Sequence, residues 1–274
     1  MRRRVVGLIA LAAAGAAAPP ANATSGWEPD VAAARAFAQS RAGEVSFAVR
    51  TAGRGQGFRT ARTARSASVV KAMLMVGYLD RGDVRSRALT AQDRALLDPM
   101  IRRSDNPAAN RVFPLVGTRG LQRVAARAGM RAFVSGGASW GSSRITAADQ
   151  ARFFLRIDGR VPARHRAYAM GLLEGIVPSQ RWGIGEVVPA GWDLFLKGGW
   201  RSGTGAVDHQ VALLRRGEDR VAVAILTTRN PSMAYGNVTL RGVAARLLRG
   251  LEGELVGTAP GPPAVGGALR LRSA

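Results

Sequence analysis

Apolar and polar residues alternate near both ends of the chain, as they do in half-buried β-strands. Residues 44–51 show this alternation and are followed by a glycine-rich turn, so we expect a hairpin whose second strand covers residues 57–64. Three segments near the C-terminus, residues 193–197, 207–214 and 221–227, predict further strands. Strands at both ends with helical patterns between them indicate an α+β fold in which one sheet is built from both termini.

The middle of the chain shows the spacing and the capping signals of helices. Residues 68–79 are almost entirely apolar, which predicts a buried helix. Thr90 fits the N-cap of a helix that runs to residue 103, and Pro107 suits the first turn of the next helix after a break at residues 104–106. Other helices are predicted over residues 28–39, 121–128, 146–157, 164–176 and 238–251.

A positively charged start followed by a short apolar run is typical of a secretory signal peptide. Arginines at positions 2–4 precede the apolar residues 5–18, and Ala21-Asn22-Ala23 fits the small-x-small rule for cleavage. We therefore expect a signal peptide over residues 1–23, a mature protein that begins near Thr24, and localisation outside the cell or in the cell envelope. Because no later apolar run approaches membrane length, we expect no integral membrane segment after cleavage.

The rest of the chain is long enough for one domain with its own core. We expect this domain over residues 24–255, divided into a sheet subdomain (24–66 and 188–255) and a helical subdomain (67–187). Residues 256–274 are rich in Pro, Gly and Ala and predict a disordered tail.

Composition narrows the chemistry that the protein can perform. The chain has no cysteine, which excludes disulfides, a thiolate nucleophile and thiolate metal ligands. With two histidines and no cluster of carboxylates, we expect neither a metal nor a cofactor. The net charge of +22 favours contact with anionic cell-wall polymers. Arginine is nevertheless scattered rather than grouped with aromatic residues, so we expect no nucleic-acid partner.

Only Lys71 and Lys197 are lysine among the 40 basic residues. Arginine stays protonated in proteins, whereas burial can lower the pKa of a lysine until it works as a base. In a chain that otherwise uses arginine, the two lysines indicate positions where the chemistry of an amine matters. Two accidental lysines are the alternative.

Ser68 and Lys71 form a Ser-x-x-Lys pattern at the start of the apolar helix. One helical turn brings the hydroxyl and the amine to the same face of a helix. The N-terminal end of a helix also supplies a positive field and free N–H groups for a developing oxyanion. A desolvated lysine there can take the proton of the serine, although the pattern alone is common.

Two further motifs follow along the chain. Ser104-Asp105-Asn106 lies at the predicted helix break, where the serine can relay a proton to a leaving nitrogen and the asparagine can orient a substrate amide. The alternative is an ordinary helix cap. Lys197-Gly198-Gly199 ends a predicted strand, where small residues let a substrate backbone lie against the strand edge. Its lysine can hold a carboxylate or lower the pKa of Lys71, and the alternative is a glycine turn with a solvated lysine.

In this order the three motifs resemble the signature set of penicillin-binding proteins and class A β-lactamases. The resemblance covers about residues 45–251. It implies an antiparallel sheet with flanking helices, packed on a helical subdomain, with the site in the cleft between them. The roles that it implies are Ser68 as acylated nucleophile, Lys71 as its base, Ser104 as proton relay, Asn106 and Gly199 as substrate contacts, Lys197 as a source of positive potential, and the N–H groups of Ser68 and Trp200 as an oxyanion hole.

The resemblance is incomplete at positions that would release the acyl group. Class A enzymes deacylate with an omega-loop glutamate, but the matching residues 130–144 contain no Asp or Glu. Asp149 is the nearest acid, and it fits a helix N-terminus better. Gly198 lacks the hydroxyl of the usual Lys-Thr-Gly, and Trp200 is bulky where a small residue is usual. We therefore expect a monomeric serine hydrolase that is acylated by a small-molecule substrate and deacylates slowly.

Three other interpretations remain open. A D-Ala-D-Ala carboxypeptidase or transpeptidase would also lack the glutamate and would act on peptidoglycan peptides. A catalytically degenerate homologue could bind the cell wall through the same cleft. Gly137-Ala138-Ser139-Trp140-Gly141 matches the Gly-x-Ser-x-Gly of lipases and esterases, but it lies in a glycine- and serine-rich loop rather than between a strand and a helix.

Overall fold

A five-stranded antiparallel sheet joins the two ends of the chain in the structure, a computed structural model that describes residues 26–201 and 206–252. β1 (Glu44–Arg50) lies between β2 (Gly55–Phe58) and β7 (Asp219–Asn230). β6 (Ala206–Arg216) and β5 (Asp193–Arg201) follow β7 toward the other edge. Because the first strand pairs with the last, the predicted α+β fold with a sheet built from both termini is confirmed.

The strand predicted over residues 57–64 is wrong as a single element. β2 is short, and Arg59 after it has a φ of 48°, which turns the chain. The backbone N–H of Arg62 closes this turn on the carbonyl oxygen of Arg59. β3 (Thr63–Arg65) then pairs with β4 (Arg144–Thr146) in a separate two-stranded sheet.

Most predicted helices are present, with small shifts of their ends. The caps at Thr90 and Thr146 are confirmed, because each hydroxyl accepts the backbone N–H three residues later. The helix predicted to begin at Ser68 starts with a 3₁₀ turn, Ala67–Val70, before it becomes α-helical. The bounds are α1 Val31–Gln39, α2 Lys71–Leu79, α3 Ala91–Arg102, α4 Asn106–Arg127, α5 Ala147–Leu155, α6 Arg166–Glu174 and α7 Met233–Leu247.

Two helices differ more from the prediction. α4 joins two segments that the sequence predicted as separate helices, and Gly117 kinks it with a φ of 66°, which glycine adopts without a steric penalty. α7 begins earlier than the predicted residue 238, because the hydroxyl of Ser232 caps it by accepting the N–H of Tyr235.

The core surrounds α2, whose residues Lys71 to Val76 are all buried. α2 packs against α3 and α4, while α5 packs against β1 and β7. On the remaining side α7 packs against α1, β6 and β7. The division into a sheet subdomain and a helical subdomain remains a prediction.

The predicted signal peptide (1–23) and tail (256–274) lie outside the described residues. Within the described part of the chain, no helix combines the length and the apolarity that crossing a bilayer requires.

Neighbouring residues of β6 point to opposite faces of the sheet and show which face carries the predicted motifs. The carboxyl of Asp208 lies against Gly236 of α7. The ring of His209 instead contacts the carbonyl oxygen of Arg65, at the end of β3. His209 pairs with Gly199 of β5. The face of β5 at Gly199 is therefore the one turned toward the chain around Ser68.

Candidate active site

Ser68 lies in the 3₁₀ turn directly before α2, in a strained and anchored stretch of backbone. The N–H of Ser66 donates to the carbonyl oxygen of Ser143 at 2.7 Å, which ties the turn to a neighbouring loop. Ala67 has a φ of 45°, a left-handed conformation that is unfavourable for a residue with a Cβ atom. Strain of this kind is concentrated at functional sites. The half-buried Ser68 lines a cavity, so its hydroxyl has access to a ligand.

β5 approaches this turn so closely that only glycine fits at position 199. A Cβ atom on Gly199 would lie 2.7 Å from the backbone nitrogen of Val69 and 2.8 Å from that of Ser68. Because both atoms belong to the backbone, no side chain could move aside. The missing side chain therefore brings the backbone of β5 next to Ser68, which is the arrangement that an oxyanion hole built from two N–H groups needs.

Lys71 is completely buried beside the second motif. Its Nζ donates to the carbonyl oxygen of Ser104 at 2.5 Å and to Oδ1 of Asn106 at 2.7 Å. Burial lowers its pKa from 10.5 to about 7, with a smaller opposing effect of Asp105. An amine with this pKa is partly neutral at pH 7 and can accept a proton. Among the described residues its hydrogen bonds do not include Ser68, so a direct transfer requires the tightening that often accompanies substrate binding.

Lys197 approaches the same motif from β5. Its Nζ donates to the hydroxyl of Ser104 at 3.0 Å and to the carbonyl oxygen of Gly198 at 2.9 Å. Burial, and secondly the charge of Lys71, hold the pKa of Lys197 well below its usual value. The Ser104 hydroxyl also lies 3.4 Å from Nζ of Lys71, so it is within hydrogen-bond reach of both amines. Such a chain of polar groups can move a proton.

The cavity in front of Ser68 has a volume of about 600 Å³, which suits a small-molecule ligand. Two predicted substrate-contact residues, Asn106 and Trp200, line it. Its lining contains two arginines and, among the described residues, no acid. The other lining residues are Arg65, Ala67, Ser139, Trp140, Gly141, Ser142, Arg201, Val207 and Thr228.

The indole of Trp200 forms part of the cavity wall. It packs edge to face on Trp182, with ring centroids 5.9 Å apart and an angle of 79° between the planes. This aromatic pair fixes a bulky group where the sequence comparison expects a small one.

Trp140 is a residue that the sequence analysis did not connect with the site. The centroid of its ring lies 4.7 Å from Nζ of Lys71, in a cation–π arrangement. Its Nε1 donates to Oδ1 of Asn110 in α4 at 2.8 Å. Trp140 lines the cavity, whereas Lys71 does not. The available signal was its position in the acid-free residues 130–144, but the sequence does not tell where that loop packs.

Asp149 has a structural environment, in agreement with its interpretation as a helix N-terminal residue. Its carboxylate accepts the N–H groups of Arg131 at 3.0 Å and Ala132 at 2.8 Å. It also forms an ion pair of 2.7 Å with Arg152. Buried and fully engaged, this acid anchors the loop that follows α4 and is not free to activate a water molecule.

In the described part of the chain, neither histidine hydrogen-bonds to Ser139, as a lipase-like site would need. The ring nitrogens of His209 contact backbone groups, with Nδ1 next to the N–H of Thr227 and the carbonyl oxygen of Asp208, and Nε2 next to the carbonyl oxygen of Arg65. Burial lowers the pKa of His209 to about 4. His165 is buried and bonded to a backbone carbonyl. The described residues also contain no group of three His, Asp or Glu side chains that could hold a metal ion.

A family model described as the beta-lactamase enzyme family matches residues 85–251. This range contains Ser104, Asn106 and Lys197, while Ser68 and Lys71 precede it. No curated protein matches the chain.

Several solved β-lactamase structures resemble this fold. A beta-lactamase from Sphaerobacter thermophilus is 25% identical with a TM-score of 0.70, covering 80% of this chain and 95% of the other. One from Desulfarculus baarsii is 23% identical with a TM-score of 0.64, covering 78% and 96%. A class A beta-lactamase from Mycobacterium abscessus is 16% identical with a TM-score of 0.67, covering 81% and 99%. The last two similarities bear on the fold alone.

Proposed function

The chain belongs to the beta-lactamase enzyme family and is a serine hydrolase of that type, and we propose that it is an exported enzyme that forms a covalent acyl-enzyme on Ser68. The proposed substrate is a small molecule with an amide or β-lactam bond, and the proposed deacylation is slow. The observation that carries this proposal is the buried Lys71, whose pKa is lowered to about 7. Its amine contacts Ser104, which the second buried lysine, Lys197, also contacts.

In the acylation step, the Ser68 oxygen attacks the carbonyl carbon while the neutral amine of Lys71 takes the hydroxyl proton. The N–H groups of Ser68 and Trp200 stabilise the oxyanion. The bond between the carbonyl carbon and the substrate nitrogen then breaks. That nitrogen receives a proton from the Ser104 hydroxyl, which is replaced by the proton on Lys71. The products are a Ser68 ester and a protonated leaving nitrogen, and Lys71 is neutral again.

Hydrolysis of the ester needs a base that can activate a water molecule. Residues 130–144 contain no carboxylate, and Asp149 is engaged by two N–H groups and Arg152. Among the described residues, no acid lines the cavity in front of Ser68, which supports slow deacylation, since general bases typically contribute about 10²- to 10⁴-fold to a rate.

The charge of the cavity supports an anionic substrate. Arg65 and Arg201 are exposed and line the cavity together with Ser68. Penicillins and the C-terminal peptides of peptidoglycan both carry a carboxylate, which a guanidinium binds well. A D-Ala-D-Ala carboxypeptidase or transpeptidase is therefore the second candidate, and it is favoured by the same lack of a deacylating acid.

The test is to incubate the mature protein, starting at Thr24, with excess penicillin and to follow its intact mass over time. Ser68→Ala is the informative variant, and Ser139→Ala is a matched control that removes another serine of the same cavity. We expect an adduct of the mass of the penicillin on the wild type and on Ser139→Ala, but none on Ser68→Ala.

Persistence of the adduct would support slow deacylation. Turnover of penicillin at rates typical of β-lactamases, without accumulation of the adduct, would contradict it. If penicillin is neither bound nor consumed, the same experiment with a D-Ala-D-Ala peptide separates the peptidase from a catalytically degenerate protein that only binds the cell wall.

A further inference from the structure

Trp140 contacts the buried Lys71 and also lines the cavity. Lys71 has no exposed surface, while the half-buried Trp140 lines the cavity together with Ser68 and Asn106. The ring centroid lies 4.7 Å from Nζ, which leaves no room for a water molecule between ring and amine. The indole therefore lies directly against the amine, beside the hydrogen bonds that Nζ makes to Ser104 and Asn106.

Hydrogen bonds to neighbouring residues hold Trp140 in this position. Nε1 of Trp140 donates to Asn110 of α4 at 2.8 Å. The carbonyl oxygen of Trp140 accepts the hydroxyl of Ser143 at 2.8 Å and its N–H at 3.1 Å. Ser143 in turn accepts the N–H of Ser66 through its carbonyl oxygen. The loop that carries Trp140 is thus tied to the backbone that carries Ser68.

We propose that Trp140 keeps water away from Lys71 in the acyl-enzyme and thereby sets the lifetime of the Ser68 ester. This inference rests on the proposed function, because it concerns the breakdown of the acyl group on Ser68. Trp140 is a positioning residue: it acts on Lys71 and does not take part in bond making.

The position of Trp140 matters because Lys71 could act as a base in the resting acyl-enzyme. Once the proton has left with the substrate nitrogen, Lys71 is a neutral amine close to the ester and could act as a base. A water molecule bonded to Nζ would lose a proton to it and add to the ester carbonyl. The ester C–O bond would then break, and Ser68 would regain the proton from Lys71. The indole occupies the approach that such a water needs, so the amine remains idle after acylation.

The experiment measures acylation and adduct decay separately by time-resolved intact mass with a penicillin. Trp140→Ala is expected to accelerate decay of the adduct by at least about tenfold, as expected when a base gains access to water, while acylation still occurs. Trp140→Phe keeps a ring over the amine but loses the Nε1 hydrogen bond to Asn110, so its adduct is expected to decay at a rate between those of the wild type and Trp140→Ala. Asn110→Ala releases the Nε1 hydrogen bond and gives a milder acceleration, so it replaces Trp140→Ala if that variant does not fold. Trp192→Phe, at a ring that packs against Arg216 and does not line the cavity, is the control for loss of an indole.

A pH profile distinguishes this role from a general loosening of the site. Without the indole, water reaches Nζ and the pH midpoint of acylation rises above that of the wild type, since burial is what lowers the pKa of Lys71. The inference is overturned if folded Trp140→Ala forms the adduct, loses it no faster than the wild type and keeps the same midpoint. A wild type that forms no Ser68 adduct with any acyl donor instead contradicts the proposed function.

Discussion

Lys71 and Lys197 both donate hydrogen bonds to Ser104, Lys71 to its carbonyl oxygen at 2.5 Å and Lys197 to its hydroxyl oxygen at 3.0 Å. Two amines so close in a buried site oppose each other's protonation, and the charge of Lys71 lowers the pKa of Lys197. Ser104 meets both lysines in a left-handed conformation, with a φ of 55°. Burial of two amines at one strained serine lowers the stability of the fold, which is the pattern expected of a catalytic site.

Acylation should depend on the neutral form of Lys71. Its pKa is lowered to about 7, so the amine is mostly protonated below that pH and mostly neutral above it. We expect the acylation rate to fall about tenfold per pH unit below pH 7 and to level off above it. This profile can be measured by mass spectrometry of reactions quenched at successive times, or with a chromogenic penicillin. Lys71→Arg, which stays protonated, should lose acylation by about 10²- to 10⁴-fold at every pH, and an unchanged rate would rule out Lys71 as the base.

The two neighbouring glycines of β5 should respond oppositely to alanine. Gly199→Ala would force a Cβ atom to 2.8 Å from the backbone nitrogen of Ser68, so we expect loss of acylation and about 1–3 kcal/mol of stability. At Gly198 the nearest atom, in Trp182, is 3.5 Å away, which is ordinary contact. Gly198→Ala should therefore keep activity and gain about 0.5–1 kcal/mol, because glycine weakens a strand. Urea unfolding together with acylation rates compares the pair, and equal tolerance at both positions would contradict the close approach.

Asp149 should matter for stability and not for deacylation. Asp149→Asn removes the charge that pairs with Arg152 and one of the strong acceptors for the N–H groups of Arg131 and Ala132. We expect a loss of about 1–3 kcal/mol in the free energy of unfolding. The decay rate of the Ser68 adduct should stay the same. If the variant instead stabilises the adduct, Asp149 serves as a deacylating base after all.

Asp208 should make the fold less stable as the pH rises. It is fully buried, neither carboxyl oxygen has a hydrogen-bond partner among the described residues, and burial raises its pKa from 3.8 to about 8. Between about pH 4 and 8 the unfolded chain has released this proton while the folded protein retains it, so unfolding becomes easier with each pH unit. The effect over this window is up to about 5 kcal/mol.

Asp208→Asn should remove that dependence. The variant is expected to match the wild type in stability near pH 4 and to exceed it at pH 8, as measured by urea unfolding at both values. Parallel pH profiles for the two proteins would mean that the carboxyl is already ionised in the fold.

The three short motifs, through the family that they resemble, predicted that residues from separate stretches of the chain form one site. Ser68, Lys71, Ser104 and Lys197 come from three separate stretches, yet the structure brings the last three into hydrogen-bond contact, and β5 packs on the turn that holds the first. Residue types with a specific chemistry can therefore indicate a shared site even when the fold that connects them is unknown.

Features that depend on tertiary packing could not be predicted in the same way. The turn at Arg59 lies in a segment without glycine or proline between residues 58 and 64, so the sequence suggested one strand where there are two. Trp140 belongs to a loop without periodicity, and its contact with Lys71 depends on hydrogen bonds to Asn110 and Ser66 that are distant in sequence. The left-handed conformation of Ala67 also has no signal, since alanine is not a residue that favours it.

The pairing of β1 with β7 has a consequence for the order of events during synthesis. β1 can pair with β7 only after β7 has been synthesised. β5, which packs against Ser68, is also synthesised late. Closing such long loops is entropically costly and makes folding slow. A nascent or truncated chain that ends before β7 would carry the serine, both lysines and every motif, and still be chemically silent. Given the proposed acylation of Ser68, reaction with a penicillin would report that the whole chain has folded.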